Sequence, residues 1–207
     1  MIDRYIQHHT TAEDEILAQL YRETHLRVLN PRMLSGPVQG KLLEMISCMI
    51  NPLRILEIGT YTGYSAICLA RGLAPKGVLH TIEVNPELDE IASKYFRLAG
   101  LENRIMRHTG DALHIIPALE EIFDLVFIDA AKDHYPDYYS VVFDKVRQGG
   151  FIIADNVLWD GKVVHQSKKP DRETAGIIAF NDLVQGDDRV ENVMISDRDG
   201  LMIIRKK

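Results

Sequence analysis

The chain has 207 residues, 46% of them hydrophobic and 26% charged, with a formal net charge of -6. That is enough for one well-packed domain and ordinary for a soluble globular protein. The acidic balance and the scatter of Lys and Arg argue against non-specific binding to nucleic acid or to an anionic membrane, and no run approaches the roughly 18 apolar residues of a membrane span.

The opening "MIDRYIQHHTTAEDE" is polar and is not a secretory signal. Residues 12–29 have helical apolar spacing, with Thr11 a plausible N-cap. "NPRMLSGP" breaks the pattern, and "VQGKLLEMISCMI" reads as a second helix, so residues 1–50 are expected to form a helical cap on a single domain spanning 1–207. The two cysteines, Cys48 and Cys68, lie in apolar helix-like stretches and read as buried free thiols, which fits a reducing cytoplasm.

An alternation then begins. "RILEIG", "VLHTIEV", "RIMRHTG", "FDLVFID" and "GGFIIAD" read as strands, separated by helices at "YSAICLARGL", "ELDEIASKYFRLAG", "ALHIIPALE" and "YPDYYSVVFDKV". Short apolar strands alternating with helices predict an α/β fold with a doubly wound, mostly parallel sheet. After the helix "ETAGIIAFNDLVQGD", the runs "VENVMIS" and "GLMIIRK" flank Asp199-Gly200, a hairpin signal, so an antiparallel pair closes a seven-stranded sheet.

The loop "LEIGTYTGYS" joins the first strand to its helix. Gly59 and Gly63 let the backbone turn sharply and approach a ligand, at the carboxyl end of a strand where ligands of open α/β sheets sit. The helix start offers free N–H groups. About twenty residues on, Glu83 stands where an acid accepts hydrogen bonds from ribose hydroxyls, and Asp111 leaves the third strand beside an adenine position. The loop is G-x-x-x-G preceded by Glu57, with no basic residue close by. That suits a cationic cofactor without phosphate, S-adenosylmethionine, better than a dinucleotide.

The fourth strand ends at Asp129, and the fifth at Asp155 and Asn156. In this topology the two strands are neighbours, so the three side chains are expected at one sheet edge. Two crowded carboxylates repel unless a cation or proton joins them, and two carboxylates with an amide oxygen suit a hard cation: Mg²⁺, with Mn²⁺ or Ca²⁺ as alternatives. About three of six octahedral positions would stay open for two adjacent hydroxyls and a water. Lys132 follows Asp129 by three residues. Near a dication its ammonium would be pushed towards the neutral form, so that it could act as a base for a phenol. The competing reading is that Asp155 and Asn156 cap the next turn.

Taken in order, "LEIGTYTGYSA", "FIDAAK", "ADNVLWDG" and the closing "DG" hairpin resemble the class I S-adenosylmethionine-dependent methyltransferases, in particular the metal-dependent catechol and caffeoyl-CoA O-methyltransferases. The likeness runs from about Met33 to the C-terminus. It implies Asp129, Asp155 and Asn156 as metal ligands and Lys132 as general base. It implies Met33, Glu57, Gly59, Tyr61, Gly63, Ser65, Glu83, Asp111, Ala112 and Asp129 as the cofactor site, a vicinal-dihydroxy aromatic as acceptor, and a homodimer. Trp159 is a candidate wall of the acceptor pocket and Asn181 a candidate polar group there, while Lys168 and Lys169 face solvent or an anionic acceptor. Tyr135, Tyr138 and Tyr139 read as packing residues, and His8 and His9 as exposed. A nicotinamide-dependent oxidoreductase would want G-x-G-x-x-G and a purely parallel sheet; a non-catalytic cofactor-binding protein would not need Asp129, Lys132, Asp155 and Asn156 together. Both stay open at this point as alternatives.

Overall fold

A computed structural model describes residues 1–165 and 170–207. The chain divides into two compact units, Met1–Ile55 with Thr60–Gly110, and Leu56–Gly59 with Asp111–Lys207. The first carries α1 (Ile2–His8), α2 (Glu15–Arg27) and α3 (Gly36–Ile50). Strand β1 (Arg54–Ile58) runs from the first unit into the second, and the first continues with α4 (Tyr64–Arg71), β2 (Val78–Glu83), α5 (Asp89–Leu98) and β3 (Ile105–Thr109). The second holds α6 (Ala112–Ala118), β4 (Phe123–Ile128), α7 (Tyr135–Phe143), β5 (Val146–Asp155), α8 (Arg172–Gln185), β6 (Val190–Ile195) and β7 (Leu201–Lys206).

The seven strands form one sheet in the order β3-β2-β1-β4-β5-β7-β6. β2 pairs with β3 and β4 with β5 in parallel, while β5–β7 and β7–β6 are antiparallel. The parallel sheet with an antiparallel finish is therefore as the sequence predicts. Its physical basis is clearest in β4, where Phe123, Leu125, Val126, Phe127 and Ile128 are all fully buried. A strand covered on both faces has no polar alternation to show, and each such side chain stabilises the fold by about 1.5–3 kcal/mol.

In the first unit, Leu17 and Leu20 of α2, Leu43 of α3, most of α4, and Tyr95 and Phe96 of α5 make the core. Glu23 of α2 reaches α5, accepting hydrogen bonds from Tyr95 Oη at 2.7 Å and Lys94 Nζ at 2.5 Å. Those two bonds, the lysine's first, hold its carboxyl down to a pKa of about 2.

Three expectations need correction. Thr11 is not the cap of the long helix. Asp14 is, accepting from Leu17 N at 3.0 Å, because its carboxylate stands where the third helical N–H needs an acceptor. α1 precedes it and buries none of its residues, Ile2, Tyr5 and Ile6 standing exposed at helical spacing. Cys48 is exposed, on the solvent side of α3, whereas Cys68 of α4 is buried; both are free thiols. β5 begins at Val146, before Gly149, because a register shift between Phe123 and Leu125 lets Gly149, at φ 72°, pass as an irregularity within the strand. Among the described residues, no helix is long and apolar enough to cross a membrane.

Candidate active site

In the first unit the glycine loop leaves β1 and enters α4 at Gly63. That residue is the helix N-cap at φ 92°, and a Cβ there would meet the Phe96 ring at 2.5 Å, so only glycine fits. Tyr61 is also left-handed, at φ 48°, and its hydroxyl donates to Leu29 O at 3.0 Å. Its main-chain N–H donates to Glu83 Oε2 at 2.7 Å, while Asn85 N donates to Glu83 Oε1 at 2.9 Å. Glu83 thus leaves β2 with both oxygens fixed by backbone donors, and its remaining lone pairs are aimed by them. With Thr60, Tyr61, Asn85, Arg107 and Thr109 it lines a shallow pocket. Ser65 is buried one residue into α4. Met33 is 60% exposed at the end of a short 3-10 turn, Pro31–Met33.

In the second unit Glu57 is fully buried. Gly59 has φ 102°, and a Cβ there would lie 2.0 Å from the main-chain oxygen of Asp129; Asp129 N itself donates to Ile58 O at 2.9 Å. The glycine is therefore what lets the β1 and β4 ends lie this close. Asp111 caps α6, accepting from Leu113 N at 2.9 Å, and Ala112 behind it is buried.

The β4–β5 register pairs Ile128 with Ala154, so Asp129 and Asp155 leave adjacent parallel strands at the same end. Asp155 is 4% exposed, and its Oδ1 accepts from Asn156 N at 2.7 Å. Asn156 is left-handed, at φ 59°. Lys132 is buried, and its Nζ donates to Asp129 Oδ1 at 2.7 Å and to Tyr135 Oη at 3.0 Å. Burial pushes the ammonium pKa down, but the Asp129 charge and then Tyr135 outweigh it, so the pKa is raised overall. In the protein alone, then, Lys132 is an ammonium held by Asp129.

Sequence reasoning missed two residues here. Tyr135 is fully buried, and its hydroxyl donates to Asp155 O at 2.9 Å, bridging the β5 end to Lys132. Nothing in a tyrosine at helical spacing signals that role. Gly176 of α8 lets the helix lie on the Lys132 turn, since a Cβ would meet Lys132 O at 2.5 Å. Trp159 lies near the same lysine, its ring 5.9 Å from Lys132 Nζ and 5.5 Å from Lys162 Nζ. Its indole N–H is buried without a partner among the described residues. So is Asn181 Oδ1, whose amide nitrogen donates to Val157 O at 2.9 Å. Buried polar atoms left unpaired in this way are costly and call for a partner. Lys168 and Lys169 lie outside the described residues.

Among the described residues no three His, Cys, Asp or Glu side chains form a metal-holding group. The set at the β4 and β5 ends is two carboxylates and an amide, and its donor chemistry is that of a hard oxygen-liganded cation.

Comparison with known proteins points to O-methyltransferases. A family model described as O-methyltransferase matches residues 7–207. A catechol O-methyltransferase of Niastella koreensis is 39% identical over 141 residues, 66% of this chain and 64% of that protein, so the matched stretch spans just under two thirds of that relative. Caffeoyl-CoA O-methyltransferase 5 of Nicotiana tabacum is 31% identical over 84% of the chain and 77% of its own length. Among solved structures, the O-methyltransferase TomG of Streptomyces achromogenes, in complex with S-adenosylmethionine, superposes with a TM-score of 0.92 at 32% identity, covering 100% of this chain and 96% of that one. An O-methyltransferase of Bacillus cereus in complex with S-adenosylhomocysteine gives 0.93 at 31%, covering 100% and 97%.

Proposed function

The chain belongs to the S-adenosylmethionine-dependent O-methyltransferase family, and on that premise we propose that it methylates one hydroxyl of a vicinal-dihydroxy aromatic, of catechol or caffeoyl type, with a divalent cation, Mg²⁺ first, held by Asp129, Asp155 and Asn156. The observation that carries this is the oxygen donor set at two adjacent strand ends, with a buried lysine bonded to one of its carboxylates. The bound cation would hold both hydroxyls of such an acceptor and lower their pKa, and S-adenosylmethionine supplies a methyl group on a sulfonium.

Glu83 holds the ribose, and Asp111 and Ala112 face the adenine; Met33, Glu57, Gly59, Tyr61, Gly63 and Ser65 complete the cofactor wall. Once its ammonium has released a proton to solvent, Lys132 would take the acceptor hydroxyl proton at Nζ. Burial already disfavours its charge, and Asp129 is what sustains it, so a cation held by that carboxylate would weaken the support. The acceptor oxygen then bonds to the methyl carbon as the carbon–sulfur bond breaks, the electron pair staying on sulfur. Trp159 walls the acceptor, and its N–H and Asn181 Oδ1 are the unpaired buried groups left to meet it. The antiparallel finish of the sheet and the family leave the nicotinamide reading without support. A homodimer and a cytoplasmic setting belong to the same reading; exposed Ile2, Tyr5 and Ile6 of α1 support the first, and two free thiols the second.

The test is a panel of catechols and caffeoyl esters with methyl-labelled cofactor, with and without EDTA. Label transfer to vicinal diols that stops on chelation and returns with Mg²⁺ is expected. Undiminished transfer in EDTA, or equal transfer to monohydroxy analogues, rejects the chelating site.

A further inference from the structure

We propose that Asp199, in the β6–β7 hairpin, is a positioning residue that fixes which way the Asn156 amide faces, and so decides that Asn156 offers oxygen rather than nitrogen to the site. This rests on the reading of Asn156 as a cation ligand. The proposed chemistry leaves Asp199 without a task.

The carboxylate is used on both sides. Asn156 Nδ2 donates to Asp199 Oδ2 at 3.4 Å, and Asp160 N donates to Asp199 Oδ1. The main chain adds two more ties: Leu158 N donates to Asp199 O at 2.9 Å, and Val157 N to Gly200 O at 3.2 Å. The segment held in this way is unusual. Asn156, Trp159 and Asp160 are all left-handed, at φ 59°, 46° and 53°, and Gly161 follows at 71°. Non-glycine residues in that region persist only where surrounding contacts impose it. Here the hairpin imposes it.

An asparagine amide has one oxygen and one NH₂ group of nearly equal size, so a ligand asparagine needs something to fix its orientation. A carboxylate does this in one sense only, because it accepts and cannot donate when ionised. With Nδ2 committed to Asp199, Oδ1 is the atom available to a cation. Fixing a metal ligand through its neighbour's hydrogen bond is worth about 10–100-fold in metal affinity where it has been measured.

Asp199→Asn makes the argument testable, because an amide can serve only one of the two donors. If its oxygen accepts from Asp160 N, its NH₂ faces the NH₂ of Asn156, and Asn156 must turn its oxygen towards residue 199 and away from the site. Adding Asn156→Asp restores complementarity with the polarity reversed: the new carboxylate accepts from the amide at 199 and still presents oxygen.

The experiment is Mn²⁺ titration of the full chain by calorimetry, with S-adenosylmethionine affinity and the thermal midpoint measured alongside. Asp199→Asn should weaken Mn²⁺ binding about 10–100-fold with the other two readouts unchanged, and the double variant should bind near the wild-type value. A role confined to holding the loop predicts unchanged Mn²⁺ binding, since Asp199→Asn keeps the bond to Asp160 N. Wild-type Mn²⁺ affinity in Asp199→Asn, or no recovery in the double variant, overturns the proposal. So does loss of fold in both variants, which assigns Asp199 to stability alone. A wild-type chain that takes up no Mn²⁺ removes the cation reading itself, and with it this one.

Discussion

Lys132 shows how far a single residue can be read from its neighbours in sequence. Its place three residues after a strand-end aspartate marked it as a candidate base, and the structure ties it to Asp129 at 2.7 Å. Its second partner was not legible. Tyr135 lies in a run of aromatics at helical spacing, where packing is the natural reading, and its ring is indeed buried against Phe180. Its hydroxyl, however, finds main-chain oxygens at the ends of two strands, Asp155 O at 2.9 Å and Ile128 O at 3.3 Å, together with the lysine. Backbone carbonyls carry no sequence signature. Tyr135→Phe keeps the ring and removes the hydroxyl, leaving buried donors and acceptors unpaired at a cost of about 1–3 kcal/mol. Urea unfolding should show that loss, together with a fall in turnover from a lysine held by one partner instead of two. An unchanged midpoint would mean that the hydroxyl is not the link between Lys132 and β5.

At the level of elements, apolar runs and turn residues located the strands, and the hairpin at Asp199-Gly200 was read correctly from two residues. The failures share a cause. α1 buries nothing, the β5 start is hidden by a register shift, and α2 starts at Glu15 under an Asp14 cap, three residues later than the apolar spacing suggested. In each case the deciding interaction is local geometry that hydrophobic periodicity does not carry. Gly59 is the reverse case: the sequence marked it as a ligand-approach glycine, and the chain needs it for its own packing as well. Gly59→Ala sets a Cβ 2.0 Å from Asp129 O at a φ of 102°, against backbone that cannot yield cheaply. Gly36→Ala has a comparable φ of 79° with nothing within 4 Å. The first should cost well over the roughly 1 kcal/mol of positive-φ strain, and the second about that much. Equal midpoints in urea for the two variants would contradict the close approach of the β1 and β4 ends.

For the whole molecule, seven strands in the order β3-β2-β1-β4-β5-β7-β6 follow from a βα alternation with one antiparallel return, and the match to O-methyltransferase structures covers the full chain. The site depends on that order more than on any single motif. Asp129 and Asp155 are 26 positions apart in sequence and leave the sheet at the same end because β4 and β5 are parallel neighbours in a register that ends both together. The unpaired buried atoms of Trp159 and Asn181 were not legible in the same way, because they arise from a loop and a helix whose approach no motif encodes. The most direct measurement is anomalous scattering at the manganese edge from a crystal grown with Mn²⁺ and S-adenosylhomocysteine. A single strong peak ligated by Asp129, Asp155 and the Asn156 side-chain oxygen is the predicted result; no peak there, with the homocysteine product bound, would contradict it.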